Sequence, residues 1–177
     1  QQGDSSNPFR SVKLHYFDPC MTPVEAAILV RNSFHIIETN ERGNRSIGGN
    51  GDHDNGDQTI FFMPHCPMML YSNVLYTNWD HLQRSVIIIG NSLTDYADRL
   101  LAEDHALRSS QAVLKAIQPC MEQHAARVTK SDIQDMPGYF ENAFNDTCLI
   151  RFRSIPDAAP IPKPPDPNES STNNKDG

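Results

Sequence analysis

His65 and Cys66 stand side by side between a strand-like run and a helical pattern. Residues 59–63 have the length and β-favouring composition of a buried strand. The segment 67–79 begins with proline, and its apolar residues recur at the spacings of an amphipathic helix. His65 and Cys66 are therefore expected in a turn between a strand's C-terminal end and a helix N-terminus. In open α/β sheets, ligands bind at such turns.

Three interpretations fit this turn, two of them chemical and one structural. A cysteine beside an imidazole at a helix N-terminus is expected to favour its thiolate form, so Cys66 is a candidate nucleophile. The dipeptide Cys66-Pro67 could instead supply a thiolate to heme iron. The third interpretation is structural, with His65 packed at the turn. No Ser/His/Asp order, P-loop or zincin motif accompanies the pair.

Other polar residues follow predicted strands. Asp18 follows the strand predicted over 12–17, where an acidic residue can hold a ribose hydroxyl or simply form a turn. Asn91 and Ser92 follow the apolar run 85–90 and could face the same crevice as His65, or act as turn and helix-cap residues. The candidate ligand-binding residues are Asp18, His65, Cys66, Asn91, Ser92, Asn145 and Asp146.

The alternation of strand-like and helical patterns predicts a layered α/β domain. Thr22 and Glu25 form a capping-box pattern that starts a helix. We expect the strands near 12–17, 59–63 and 85–90 to lie in one sheet with helices packed on it. Further elements are expected as a strand at 35–38, helices at 23–34, 67–79 and 112–128, the last kinked or broken at Pro119, and a final strand at 148–152.

Composition divides the 177 residues into a domain at 1–155 and a tail at 156–177. Six of the 13 prolines lie in the tail with few large apolar residues, which predicts disorder. The segment 41–57 carries five of the nine glycines and is predicted to be a mobile loop. The net charge of −7 argues against a surface that binds nucleic acid directly.

The sequence also predicts the cellular compartment of the protein. No apolar run approaches the ~20 residues that a membrane span needs, and no signal peptide is recognisable. The four cysteines include no C-x-x-C pair, so reduced thiols in the cytoplasm, and also in the nucleus, are expected. Because the chain begins with Gln, we expect it to be a fragment.

Four blocks together resemble the sensitivity-to-red-light-reduced (SRR-like) family. Residues 61–79 resemble the family's "FMPHC…LYNNLL…NW" block, which is long and unusual in composition. The other blocks are 17–19 with 22–25, 87–92 and 144–147. Family members typically carry an upstream strand with a Gly-rich turn, which is absent here. The resemblance therefore implies a Rossmann-like three-layer domain with a mostly parallel sheet, incomplete at the N-terminus.

The function implied by this resemblance is regulatory. SRR-like proteins are linked to the circadian clock and light responses in plants, and to clock-gene expression and heme biosynthesis in animals. Regulatory protein partners are then expected, without nucleic-acid or membrane binding and with no defined reaction. The alternative is a sensor or enzyme that binds a nucleotide, S-adenosylmethionine or heme at the strand C-termini.

Overall fold

The protein is a mixed α/β structure. Its chain divides into two compact units, Gln1–Glu41 and Arg42–Gly177. Within the described ranges, no helix combines the length and the apolar character needed to cross a membrane. The computed structural model describes residues 12–47, 58–98, 105–125 and 146–153.

The first unit is a β-α-β element. Strand β1 (Leu14–Tyr16) pairs in parallel with β2 (Phe34–Ile36), and helix α1 (Pro23–Arg31) connects them. The predicted capping box is confirmed: the Glu25 N–H donates to Thr22 Oγ1 over 3.3 Å, and the Thr22 N–H donates to Glu25 Oε2 over 2.7 Å. The Thr22 N–H and the Thr22 hydroxyl both donate to Glu25 Oε2, and these two hydrogen bonds hold the pKa of Glu25 below its ordinary value.

The second unit is built on a four-stranded sheet with the order β3-β4-β6-β5. Strands β3 and β4 are parallel, whereas β6 runs antiparallel between β4 and β5. The strands are β3 (Thr59–Met63), β4 (Val86–Asn91), β5 (Met121–Ala125) and β6 (Thr147–Phe152). The helices are α2 (Met68–Thr77), α3 (Leu82–Ser85), α4 (Leu93–Asp98) and α5 (His105–Ile117), with 3-10 turns at Trp79–His81 and Gln118–Cys120.

The expectations about the sheet need two corrections. Strands β1 and β3 do not share a sheet among the described residues, because β1 pairs with β2 in a two-stranded sheet of its own. An apolar run shows that a strand forms but not which strand it pairs with. The four-stranded sheet is also not mostly parallel, since two of its three pairings are antiparallel. The alternating pattern of β6 is typical of antiparallel strands.

The helix predicted over 112–128 is broken at Pro119, as expected, but residues 121–125 after the break form strand β5 and not helix. Helix α5 ends at Ile117, and Pro119 lies in a 3-10 turn that leads into β5. Proline breaks a helix because it lacks the N–H donor and its ring clashes with the preceding turn. Met121 and Ala125 suggested a helix by their spacing of four, but residues four apart also share one face of a strand.

The core lies between one face of the four-stranded sheet and the helices of the second unit. Strand residues such as Ile88 and Ile150 are fully buried, and they pack with Tyr71 and Leu75 of α2. Helix α5 adds a buried face to the same cluster. The buried apolar residues of α5 are Val113, Leu114 and Ile117.

The opposite face of β3 is exposed and apolar. Ile60 and Phe62 are 58% and 64% exposed, while Phe61 and Met63 between and beside them pack against the core. Alternate residues of a strand point to opposite faces, which explains this contrast. The predicted apolar run is therefore buried on one side only.

The first part of the Gly-rich segment is fixed to α2. Its backbone accepts hydrogen bonds from two buried amides, Asn73 to Arg42 O over 2.8 Å and Asn78 to Arg45 O over 2.9 Å. Gly43 has a φ of 82°, and a Cβ there would lie 2.7 Å from the carbonyl oxygen of Leu70. Residues 42–47 thus have specific contacts with α2. Residues 48–57 and 156–177, for which mobility is predicted, lie outside the described residues.

Ser110→Ala is expected to raise the free energy of unfolding by about 1 kcal/mol. Ser110 lies in α5 with no exposed surface, and its Oγ has no hydrogen-bond partner among the described residues. Alanine removes the unpaired hydroxyl and favours the helix. Urea unfolding measures the change. Ser72→Ala is the matched control, because the buried Ser72 Oγ donates to Met69 O over 2.9 Å and should give no gain. A loss of stability in Ser110→Ala contradicts the prediction.

Candidate functional site

The turn after β3 and the end of β4 meet at one edge of the sheet. The two strands are parallel, and Met63 pairs with Gly90. His65 has a left-handed backbone with a φ of 57°, an uncommon conformation for a residue with a side chain. Its N–H donates to Asn91 Oδ1 over 2.6 Å. The backbone of the exposed His65 and the Asn91 side chain are therefore joined, so these two residues lie at the same edge of the sheet, as the sequence predicted.

One amide side chain fixes both candidate residues of the turn. Asn91 Nδ2 donates to the hydroxyl of Tyr96 over 3.0 Å. That hydroxyl in turn donates to the carbonyl oxygen of Cys66 over 2.9 Å. Asn91 thus holds His65 directly and Cys66 through Tyr96.

Tyr71 of α2 completes this arrangement from the core side. Its hydroxyl donates to the carbonyl oxygen of Met63 and accepts the N–H of Asn91 over 2.8 Å. Burial is the main cause that raises the pKa of the Tyr71 hydroxyl, so the proton needed for donation stays in place. These six residues are called the strand-end network: Met63, His65, Cys66, Tyr71, Asn91 and Tyr96.

The expected thiolate character of Cys66 is not found. Burial raises the pKa of the Cys66 thiol, because the charged form loses solvation. Helix α2 begins at Met68, with Pro67 as its N-cap rather than its first residue. A protonated thiol is a poor nucleophile, so the raised pKa argues against nucleophilic chemistry at this position. It does not bear on heme, because a metal ion deprotonates a thiol that coordinates it.

A second group of hydrogen bonds lies where β4 leads into α4. The hydroxyl of Ser92 accepts the N–H of Asp95 over 3.2 Å and Gln123 Nε2 over 2.9 Å. Gln123 Oε1 also accepts the N–H of Leu93 over 3.0 Å. The Ser92 N–H donates to the carbonyl oxygen of Asp146 over 3.1 Å. Ser92 therefore caps α4, while Asp146 approaches through its backbone.

The remaining candidates belong to the first unit or lie outside the described residues. Asp18 belongs to the first unit, where its carboxylate accepts the N–H of Cys20 over 2.8 Å in a local turn. Asn145 lies outside the described residues. Ligand binding by any of the seven candidates stays a prediction. Among the described residues, no group of three or more His, Cys, Asp or Glu side chains could hold a metal ion.

Three residues that matter here were not singled out from the sequence. Tyr71 and Tyr96 link the two strand ends, and Gln123 caps α4 from β5. Tyr71 falls on the apolar stripe of α2, which predicts that it is buried. Because a buried tyrosine hydroxyl needs a hydrogen-bond partner, the sequence could have indicated the role of Tyr71. No sequence feature indicated the role of Gln123, because the residues of β5 were predicted to be helical.

Comparison with known families decides the relationship. The family model of the SRR1 domain matches residues 5–151. The chain belongs to the SRR1 domain family. This confirms the resemblance found in the sequence blocks, and the strand-end network of this SRR1 domain is formed largely by two of them.

Two relatives of this SRR1 domain are informative. The "SRR1-like protein" of Mus musculus is 40% identical over 88 residues, which are 49% of this chain and 32% of the relative. "Protein SENSITIVITY TO RED LIGHT REDUCED 1" of Arabidopsis thaliana is 29% identical over 143 residues, which are 80% of this chain and 46% of the relative. The chain thus spans less than half the length of either relative. No solved structure matches it significantly.

Proposed function

We propose that this SRR1 domain is a regulatory protein that acts through protein partners, in circadian-clock gene expression and in the regulation of heme biosynthesis. The name of the Arabidopsis relative refers to sensitivity to red light, which fits a regulatory role. The cytoplasm, with the nucleus as a second location, is the proposed site of action. No reaction is assigned.

The strand-end network is the observation that carries this proposal. Asn91, Tyr71 and Tyr96 direct their polar atoms at the turn and at one another. A binding site needs polar groups that aim at a ligand, with a shell of other residues to hold them. Here the polar side chains of Asn91, Tyr71 and Tyr96 act as the holding shell, and burial raises the pKa of the neighbouring Cys66 thiol. The arrangement therefore supports a scaffold more than a catalytic site.

Cys66→Ser is expected to leave regulation intact. The protein is expressed from its own full coding sequence in cells whose SRR1-domain gene is disrupted, and the period of a clock reporter is measured. We expect Cys66→Ser to restore the period as the wild type does, because the side chain performs no chemistry. Gly90→Ala, which disturbs the strand-end network, should fail to restore it.

The opposite result in Cys66→Ser decides against the proposal. If that variant fails while its melting temperature and protein level equal those of the wild type, the thiol itself is required. A chemical or ligand-binding role then replaces the scaffold role. The melting temperature separates this outcome from simple misfolding.

The second candidate is a Rossmann-like domain that binds a small ligand at the strand C-termini. The strand order favours it: β3, β4 and β5 share one direction, and the last strand is inserted antiparallel between β4 and β5. In open α/β sheets, ligands bind outside the carboxyl ends of the parallel strands. Likeness of fold alone does not assign a ligand, so direct binding must decide.

Calorimetric titration with S-adenosylmethionine, ATP and hemin tests this candidate. Under the regulatory proposal, we expect no saturable binding by the wild-type chain. Saturable binding that is weakened by His65→Ala, with His81→Ala as a control away from the turn, would establish the ligand site instead. Comparison of the two variants distinguishes this site from binding elsewhere on the surface.

A further inference from the structure

Two histidines form a pair on the first unit. His15 of β1 and His35 of β2 occupy the same position in the parallel register. Their ring centroids are 5.3 Å apart, the ring planes are tilted by 31°, and both residues are exposed. Neither residue belongs to the strand-end network. The pair thus presents two imidazoles to solvent from neighbouring strands.

We propose that His15 and His35 form a two-imidazole site for a late first-row divalent metal ion, of which Cu²⁺, Ni²⁺ and Zn²⁺ are the candidates. Imidazole nitrogen suits these three ions better than Mg²⁺ or Ca²⁺, which prefer oxygen ligands. Among the described residues, no third His, Cys, Asp or Glu side chain joins the pair as a ligand.

The separation of the rings agrees with shared coordination. A metal ion lies about 2.0–2.1 Å from a histidine nitrogen, and so roughly 3.2 Å from the ring centroid. Two such rings at a tetrahedral angle have centroids roughly 5.2 Å apart. The observed separation is 5.3 Å. The two imidazoles are therefore close enough to bind one ion between neighbouring strands.

The site also has a structural consequence. A two-stranded sheet has little stability of its own, and α1 contributes no buried residue among those described. A metal ion held by β1 and β2 links strands that are separated in the chain by α1. Because only the paired strands hold the two imidazoles together, the ion binds the folded unit more tightly than the unfolded chain. The folded unit is then stabilised by an amount that grows with the logarithm of the ion concentration relative to the Kd.

Titration with Cu²⁺ tests the proposal, with calorimetry for affinity and pulsed EPR to count the coordinated imidazoles. The experiments use a Cys20→Ser background, because the exposed thiol of Cys20 also binds these ions. The test variants are His15→Gln and His35→Gln. The control is His124→Gln, which removes an exposed imidazole from β5 in the other unit.

We expect one ion per chain bound by two imidazoles. Each test variant should weaken binding by about tenfold or more, since loss of even an outer-shell partner of a metal ligand costs that much. Each should also abolish the metal-induced rise in melting temperature, whereas His124→Gln should change neither. Binding unaffected by both test variants, or equally weakened by His124→Gln, overturns the site. Circular dichroism of the metal-free variants, expected to equal the wild type, excludes misfolding as the cause of a loss.

Discussion

Gly90→Ala is expected to lower the free energy of unfolding by about 3 kcal/mol, because the position has no room for a methyl group. A Cβ there would lie 2.9 Å from the carbonyl oxygen of Met63 and 2.9 Å from Cε1 of Tyr71, and it would also meet the Tyr71 hydroxyl. Tyr71 is fully buried and bonded at both strand ends, so it cannot move without losing hydrogen bonds. Urea unfolding monitored by circular dichroism measures the effect.

Removal of the Tyr71 hydroxyl supplies the matched control. Tyr71→Phe alone should cost roughly 1–3 kcal/mol, because it leaves the Met63 carbonyl and the Asn91 N–H without this partner. In the double variant with Gly90→Ala, one of the conflicting atoms is gone. The combined loss should therefore be smaller than the sum of the two single losses by about 1 kcal/mol. Full additivity would show that Gly90 and the hydroxyl do not compete for the same space.

The sequence predicted the elements whose pattern is local. The apolar runs at β3 and β4 form parallel strands, and the stripe after Pro67 forms α2. Each follows from side-chain periodicity or from the missing N–H of proline. The capping box likewise marked the start of α1, because its hydrogen bonds join residues only three apart.

Pairing between distant strands could not be predicted in the same way. The position of β6 between β4 and β5 depends on hydrogen bonds across the chain, which no local pattern specifies. Strand β5 was missed because its sequence, MEQHA, is mostly polar and follows a convincing helix. Apolar residues four apart fit both a helix and a strand, so periodicity alone could not distinguish the two for β5.

The candidate site shows the same limit. The blocks placed His65 and Asn91 at neighbouring strand ends, and the hydrogen bond between them agrees with that placement. The sequence did not indicate that Asn91 would use its amide to hold the turn. That depends on Tyr96 and Tyr71, which approach from two different helices. The raised pKa of the Cys66 thiol likewise arises from burial by distant parts of the chain.

Asn78→Asp is expected to lower the free energy of unfolding at neutral pH by about 3 kcal/mol or more, because it buries an unpaired charge. Asn78 is fully buried. Its Nδ2 donates to Arg45 O and Val74 O, both over 2.9 Å, and its Oδ1 accepts the N–H of Ile47 over 2.9 Å. Aspartate has nearly the same shape and keeps the acceptor, but it turns a carboxylate oxygen towards two carbonyl oxygens.

The pH dependence identifies this cause. Burial and the facing carbonyls should raise the folded-state pKa of the introduced aspartate above its unfolded value. The destabilisation is then largest above that raised pKa and shrinks as the pH falls through it, because the protonated acid can again donate a hydrogen bond. Asn73→Asp, a control that disturbs only the hydrogen bond to Arg42 O, should cost less. Urea unfolding of the wild type and both variants between pH 7 and about pH 4.5 measures these differences. A cost in Asn78→Asp that stays constant across this range would mean that the buried charge is not the cause of the destabilisation.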